Sequence, residues 1–192
     1  MLKINSIWQP QTQQQIFRKL LHCFSFPGEI ISLKEHLGTD SILVGILATI
    51  LDQSVTWNDD DNLVSQSDRL LLQSPLDSAK NAQYIVKNAL NTPSENLEIN
   101  LGHLSNPEKG ATLILRGEAM GKGNLKLHLT GPGIANSNTI FLQGFDPNWL
   151  TLRNQWNRNF PLGVDLILVD TEQVLALPRT TIISCSCPEQ EI

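Results

Sequence analysis

The stretch FPLGVDLILVDTEQVLALPRTT, Phe160–Thr181, constrains this chain more than any other. Two apolar runs flank the short polar turn Asp170–Gln173, so the stretch reads as a buried β-hairpin. Yet one run contains Asp165, and the other closes on Pro178, Arg179, Thr180 and Thr181. A carboxylate among apolar residues needs hydrogen-bond donors, and Thr180, Thr181 or a neighbouring helix terminus could supply them. With two central residues in the turn, Asp165 lies opposite Pro178 and Arg179 opposite Val164, so the two side chains point to different faces. A bulge that shifts the register by one would let them pair. Two roles stay open for this end: structural satisfaction of the buried carboxylate, or a functional surface.

The rest of the chain supplies the hairpin's neighbours. Thr12 with Gln15 forms a capping-box pattern, after which Ile16, Phe17, Leu20, Leu21 and Phe24 fall on one side at helical spacing. Ser25–Gly28 stops that helix, and Glu29–Leu33 resumes as a strand. Thr39 or Asp40 is expected to cap a second helix through Leu51, with Val55–Trp57 a short strand behind it. Asp59-Asp60-Asp61 is expected to open a third helix ending near Gln73, its carboxylates opposing the positive end of the dipole.

Gln83–Val86 reads as a strand, and Asn91–Lys109 as loop. Strands at Ala111–Gly117 and Leu125–Thr130 are expected to join across a Gly121-Lys122-Gly123 turn. Asp146-Pro147 starts a helix that lines up Trp149, Leu152 and Trp156, with Arg153 and Arg158 nearby. A last strand runs Thr181–Cys185. Helices alternate with strands early and strands crowd together late, which predicts an α/β chain: one three-layer domain over 1–192 with a mixed sheet. Residues 1–15 and 186–192 are expected to be flexible.

Composition narrows the function. Hydrophobic residues make up 41% of the chain and charged ones 17%, a globular composition whose sparse charge suits burial in a partner. The net charge of −5 and the lack of any Lys/Arg cluster argue against nucleic acid. The longest apolar run, Ile42–Leu51, is too short to cross a bilayer, and no membrane role is expected. Cys23, Cys185 and Cys187 form no disulfide framework, which suggests a reducing, cytoplasmic setting.

Candidate chemistry is thin. Gly117–Gly123 has three residues between its first two spaced glycines, and Gly123 stands where a phosphate-binding loop needs Ser or Thr. In Gly131-Pro132-Gly133 the proline removes a backbone donor that an anion nest would use. Asp59–Asp61 lack the alternating spacing of a calcium loop, and the four histidines are scattered, so no metal is expected. No nucleophile elbow occurs, and Lys122 between two glycines is too mobile for a positioned amine. No catalytic residue or cofactor is expected.

Five segments together carry a resemblance: FRKLLHCFSFPGEI, GATLIL, LHLTGPGI, FPLGVDLILV and LALPRTT. In this order, from Phe17 to Thr181, they resemble the PhnH family, the H subunit of the bacterial carbon–phosphorus lyase system. The resemblance implies a fold similar to the large domain of pyridoxal-phosphate-dependent transferases, without that cofactor. It implies a core complex with G, I and J subunits; a stand-alone homodimer that sequesters partners is a separate, third reading. With G, I and the ATP-binding L subunit, the family makes ribose 1-methylphosphonate 5-triphosphate from ATP and methylphosphonate.

The implied role is non-catalytic, and the rival is a protein or enzyme with its own cleft for ATP or a phosphonate. Candidate interface or anion contacts are Arg179, Thr180, Thr181, Asp165 and Arg18. On this reading Arg179→Ala weakens assembly more than it lowers the melting temperature.

Overall fold

The computed structural model describes residues 6–37 and 41–186. Its frame is a six-stranded mixed sheet in the order β1-β8-β7-β4-β3-β2, with a three-stranded antiparallel sheet β6-β5-β9 beside it. The strands of the large sheet are β1 (Ile31–Ser32), β2 (Trp57–Asn58), β3 (Tyr84–Asn88), β4 (Thr112–Arg116), β7 (Asp165–Val169) and β8 (Gln173–Leu177). Those of the small sheet are β5 (Ala119–Thr130), β6 (Asn138–Gln143) and β9 (Ile182–Ser186). Strands β2, β3, β4 and β7 run parallel, while β8 and β1 pair antiparallel at one side.

Both faces of the large sheet are covered, which explains why its strands are apolar throughout rather than alternating. Val86, Ile114, Ile167 and Ala176 pack against the helices α1 (Pro10–Ser25) and α3 (Ile42–Ile50). Their strand neighbours Ile85, Leu113, Leu166, Leu168 and Leu175 point the other way, onto Leu127, Leu129 and Ile140 of the small sheet. Trp149 and Leu150 of α5 (Asn148–Trp156) join that second core. The molecule is thus helices, sheet, then small sheet with a helix, as the α/β expectation holds.

The helices begin where local chemistry allows. α1 opens on Pro10 rather than on the expected Thr12–Gln15 box, because proline at the first turn lacks only an N–H that is unpaired there anyway. Within the 1–15 segment, Ser6–Trp8 forms a 3-10 turn that buries Ile7. Of the α1 stripe, Ile16 and Leu20 are buried, together with Cys23 outside it, whereas Phe17 and Leu21 stay about half exposed. α3 is buried from Ile42 to Leu47, and Ser41 Oγ accepts from Val44 N at its start. The expected caps Thr39 and Asp40 lie outside the described residues, as does Cys187. A short helix α2 (Lys34–Leu37) precedes it.

Two further expectations are corrected. Asp59–Asp61 do not open a helix; α4 (Gln66–Leu72) starts later, where Ser65 Oγ accepts from Asp68 N at 3.2 Å. The aspartates form a loop because their oxygens have better partners. Asp59 is fully buried and accepts from Leu63 N, Val64 N and Arg69 Nη2 at 2.9, 3.0 and 2.7 Å. Asp61 accepts from Asn88 N at 2.7 Å, and the nearly buried Lys87 ammonium sits 3.5 and 3.4 Å from Asp60 and Asp61.

The second correction is at Gly121-Lys122-Gly123, which is not a turn between paired strands. β4 and β5 belong to different sheets, and β5 continues through the glycines with a register shift between Met120 and Leu125. Gly121 and Gly123 adopt φ of 80° and 114°, so the segment bulges and bends the strand instead of reversing it. At Gly123 a Cβ would fall 2.3 Å from Leu142 O, so no other residue fits.

Candidate functional site: the Pro178–Thr181 corner

The hairpin has the register that a two-residue turn dictates. Leu166 pairs with Leu177 and Val169 with Val174, which sets Asp165 opposite Pro178. Asp170 builds the turn, its Oδ1 accepting from Glu172 N and Gln173 N, while its Oδ2 accepts from Met120 N of β5. No bulge intervenes, yet Asp165 and Arg179 do meet. β8 ends at Leu177, so Arg179 lies beyond the pleat and its side chain is free of the strand's alternation.

The contact is extensive. Asp165 Oδ1 accepts from the backbone N of Arg179 at 2.7 Å, and Oδ2 from Nη2 at 2.8 Å. Arg179 Nη1 donates to Pro107 O at 2.8 Å and to Pro161 O at 3.3 Å. One guanidinium thus ties the hairpin end to two loops, and its fork geometry is what makes that possible. These donors face inward, so Arg179 is not poised for an outside carboxylate or phosphate.

A second arginine closes the same corner from behind. Arg153 is 2% exposed; its Nη1 donates to Thr181 O at 2.8 Å and its Nη2 to Pro178 O at 2.7 Å. Burial pulls its pKa down to about 10, with the Asp165 carboxylate opposing that fall, so it remains charged at neutral pH. Asn154 Nδ2 donates to Ile183 O, and Asn157 bridges Val164 N and Val164 O. Arg153 and Asn157 stand four apart on α5 and its continuation, hence on one face. The sequence reading placed Arg153 only nearby and missed Asn154 and Asn157; their spacing was the available signal.

Two glycines let the strands approach. A Cβ at Gly110 would fall 2.3 Å from Gly163 O and 3.0 Å from Arg179 Nη1. Of the remaining candidates, Thr181 is buried and Thr180 is exposed at the tip. Arg18 is exposed on α1 in the helix layer and makes no hydrogen bond or ion pair among the described residues. The structure therefore joins Asp165, Arg179 and Thr181, leaves Thr180 at the rim, and keeps Arg18 apart.

Among the described residues no group of three acidic, histidine or cysteine side chains could hold a metal ion. No helix among the described residues is long and apolar enough to cross a membrane. The corner's chemistry is that of a lock: charges and amides hold backbone carbonyls in place.

The segments that meet here are GATLIL through Gly110, FPLGVDLILV through Gly163 and Asp165, and LALPRTT through Arg179. A family model described as a bacterial phosphonate metabolism protein, PhnH, matches residues 6–184. By fold and sequence this is an α/β protein of phosphonate metabolism. Among its relatives is the "Putative C-P lyase subunit protein HtxG" of Stutzerimonas stutzeri, 39% identical over 180 residues that span 93% of this chain and 89% of the relative. Another is the alpha-D-ribose 1-methylphosphonate 5-triphosphate synthase subunit PhnH of Rhizobium meliloti (strain 1021), 40% identical over 84 residues, 42% of this chain and 40% of the relative. The chain belongs to the PhnH family.

Proposed function

We propose that this chain is an architectural subunit of a carbon–phosphorus lyase system. In this role it assembles in the cytoplasm with G, I and J subunits and serves, with the L subunit, the step that joins methylphosphonate to the ribose of ATP. The observation that carries the reading is the similarity along 93% of the chain to a relative named as a C–P lyase subunit. The corner supports it, because its arginines, the strongest anion-binding groups of the hairpin, hold the protein's own carbonyls and carboxylate. A fold kinship with the large domain of pyridoxal-phosphate enzymes, without the cofactor, belongs to the same proposal. Added pyridoxal phosphate is then expected to give no imine absorption band.

Native mass spectrometry of the chain co-expressed with G, I and J tests the role. A stoichiometric complex containing it is the expected result; a chain that stays alone while the other three assemble overturns the proposal.

A further inference from the structure

Among the described residues the two sheets have four edges, and three are protected. β1 and β2 are two residues long. β9 runs beside α5, whose Asn154 and Arg153 donate to the carbonyls of Ile183 and Thr181. The fourth edge, β6, reads NTIFLQ: six residues with no charge and no proline. Proteins usually blunt such an edge with lysine, proline or a covering element, because its free backbone groups invite another strand.

The face beside that edge is unusual for an acidic chain. Cross-strand pairing puts Lys126 next to Phe141, His128 next to Thr139 and Ser184, and Thr130 next to Ile182 on the outer side of the small sheet. Phe141 is 41% and Ile182 64% exposed, and Lys126 and His128 are exposed as well. Lys122 stands exposed in the neighbouring bulge. None of these three basic residues has a hydrogen-bond or ion-pair partner among the described residues, and the Glu118 carboxylate at the strand's end is taken up by Gln143. At the end of β6 an open hollow of about 490 Å³ is lined in part by Leu125, Leu142, Phe145 and Pro147.

We propose that β6 is the docking edge for an extended segment of a partner subunit, one whose carboxylates alternate with apolar side chains. Strand addition supplies backbone hydrogen bonds, and alternate side chains then meet two different surfaces. Those on the outer side lie beside Thr139 and Phe141, with the long side chain of Lys126 and the ring of His128 one strand further in, and that basic strip selects carboxylates. Those on the inner side reach the hollow, which selects an apolar group. This inference rests on the subunit role proposed above and specifies where the partner attaches.

Hydrogen exchange on the complex co-expressed with G, I and J, compared with the isolated chain, is the test. Outward-pointing amides within Asn138–Gln143 are expected to exchange about tenfold or more slowly in the complex. The double variant Lys126→Glu/Phe141→Ser, both on the exposed face, is expected to keep its melting temperature within a few degrees and to lose about tenfold or more of its partner recovery. A complex that forms with β6 exchange unchanged, or with the double variant recovered like the wild type, overturns this docking edge and leaves the subunit role standing. Failure to form any complex overturns both.

Discussion

The Pro178–Thr181 corner and the outer face of the small sheet hold the same kinds of residue and treat them in opposite ways. At the corner Arg179 and Arg153 are nearly buried, and their guanidinium groups bond to a carboxylate or to carbonyls. On the sheet face Lys126, His128 and Lys122 stand in solvent with no partner among the described residues. The difference teaches that a cation's role here follows from whether its neighbours need it. Carbonyls stranded at a strand end do, and β6's exposed side chains do not.

Arg153→Ala is expected to break this contrast most sharply. It strands the carbonyls of Pro178 and Thr181, at a cost of about 3–5 kcal/mol in urea denaturation. A loss below about 1 kcal/mol would mean that the corner is no more closed than the sheet face.

Next, Arg179→Ala and Asp165→Asn are each expected to cost about 2–3 kcal/mol, less than a fully buried pair because both side chains keep some exposure. Their double-mutant cycle is expected to show coupling of about 1 kcal/mol or more. Since Arg179's donors face inward, its loss falls on the melting temperature before assembly, the reverse of what its place in the sequence suggests.

Cys23 extends the comparison to the helix layer. Its thiol sits under α1 with its pKa raised from 9.0 to about 12, first by burial and then by Glu29. The unfolded chain loses that proton at lower pH than the folded one. The thiol's contribution to stability is therefore complete below pH 9.0 and lost between 9.0 and about 12. Denaturation across that window should show a shallower alkaline decline for Cys23→Ala than for the wild type. Lys126→Glu is expected to move stability least, within about 0.5 kcal/mol, while its effect appears in partner recovery.

Much of the frame was legible because burial leaves a local mark. The hairpin's register followed from turn length and two apolar runs, and the α3 segment from an apolar run interrupted only by Gly45 and Thr49. What was not legible depended on distant partners. Asp59–Asp61 look like a helix start until Arg69, Lys87 and the amide of Asn88 claim their oxygens. Gly121-Lys122-Gly123 looks like a hairpin turn until β4 is seen between β3 and β7, with β5 in another sheet. At the corner, Asp165 and Arg179 were named from sequence, but the inward direction of the guanidinium was not. Pro107, one of its acceptors, is 72 positions away.

The pairing order also sets a schedule for synthesis. β1, near the start, has Val174 of β8 as the partner of Ile31, and β4 gains its second neighbour only with β7. A nascent chain halted before the hairpin emerges from the ribosome holds α1 and α3 with much of their sheet floor missing, since Ile167, Val174 and Ala176 are not yet made. Completion of this protein is therefore a late event in translation, and premature stops anywhere upstream of Leu177 leave both cores open at once.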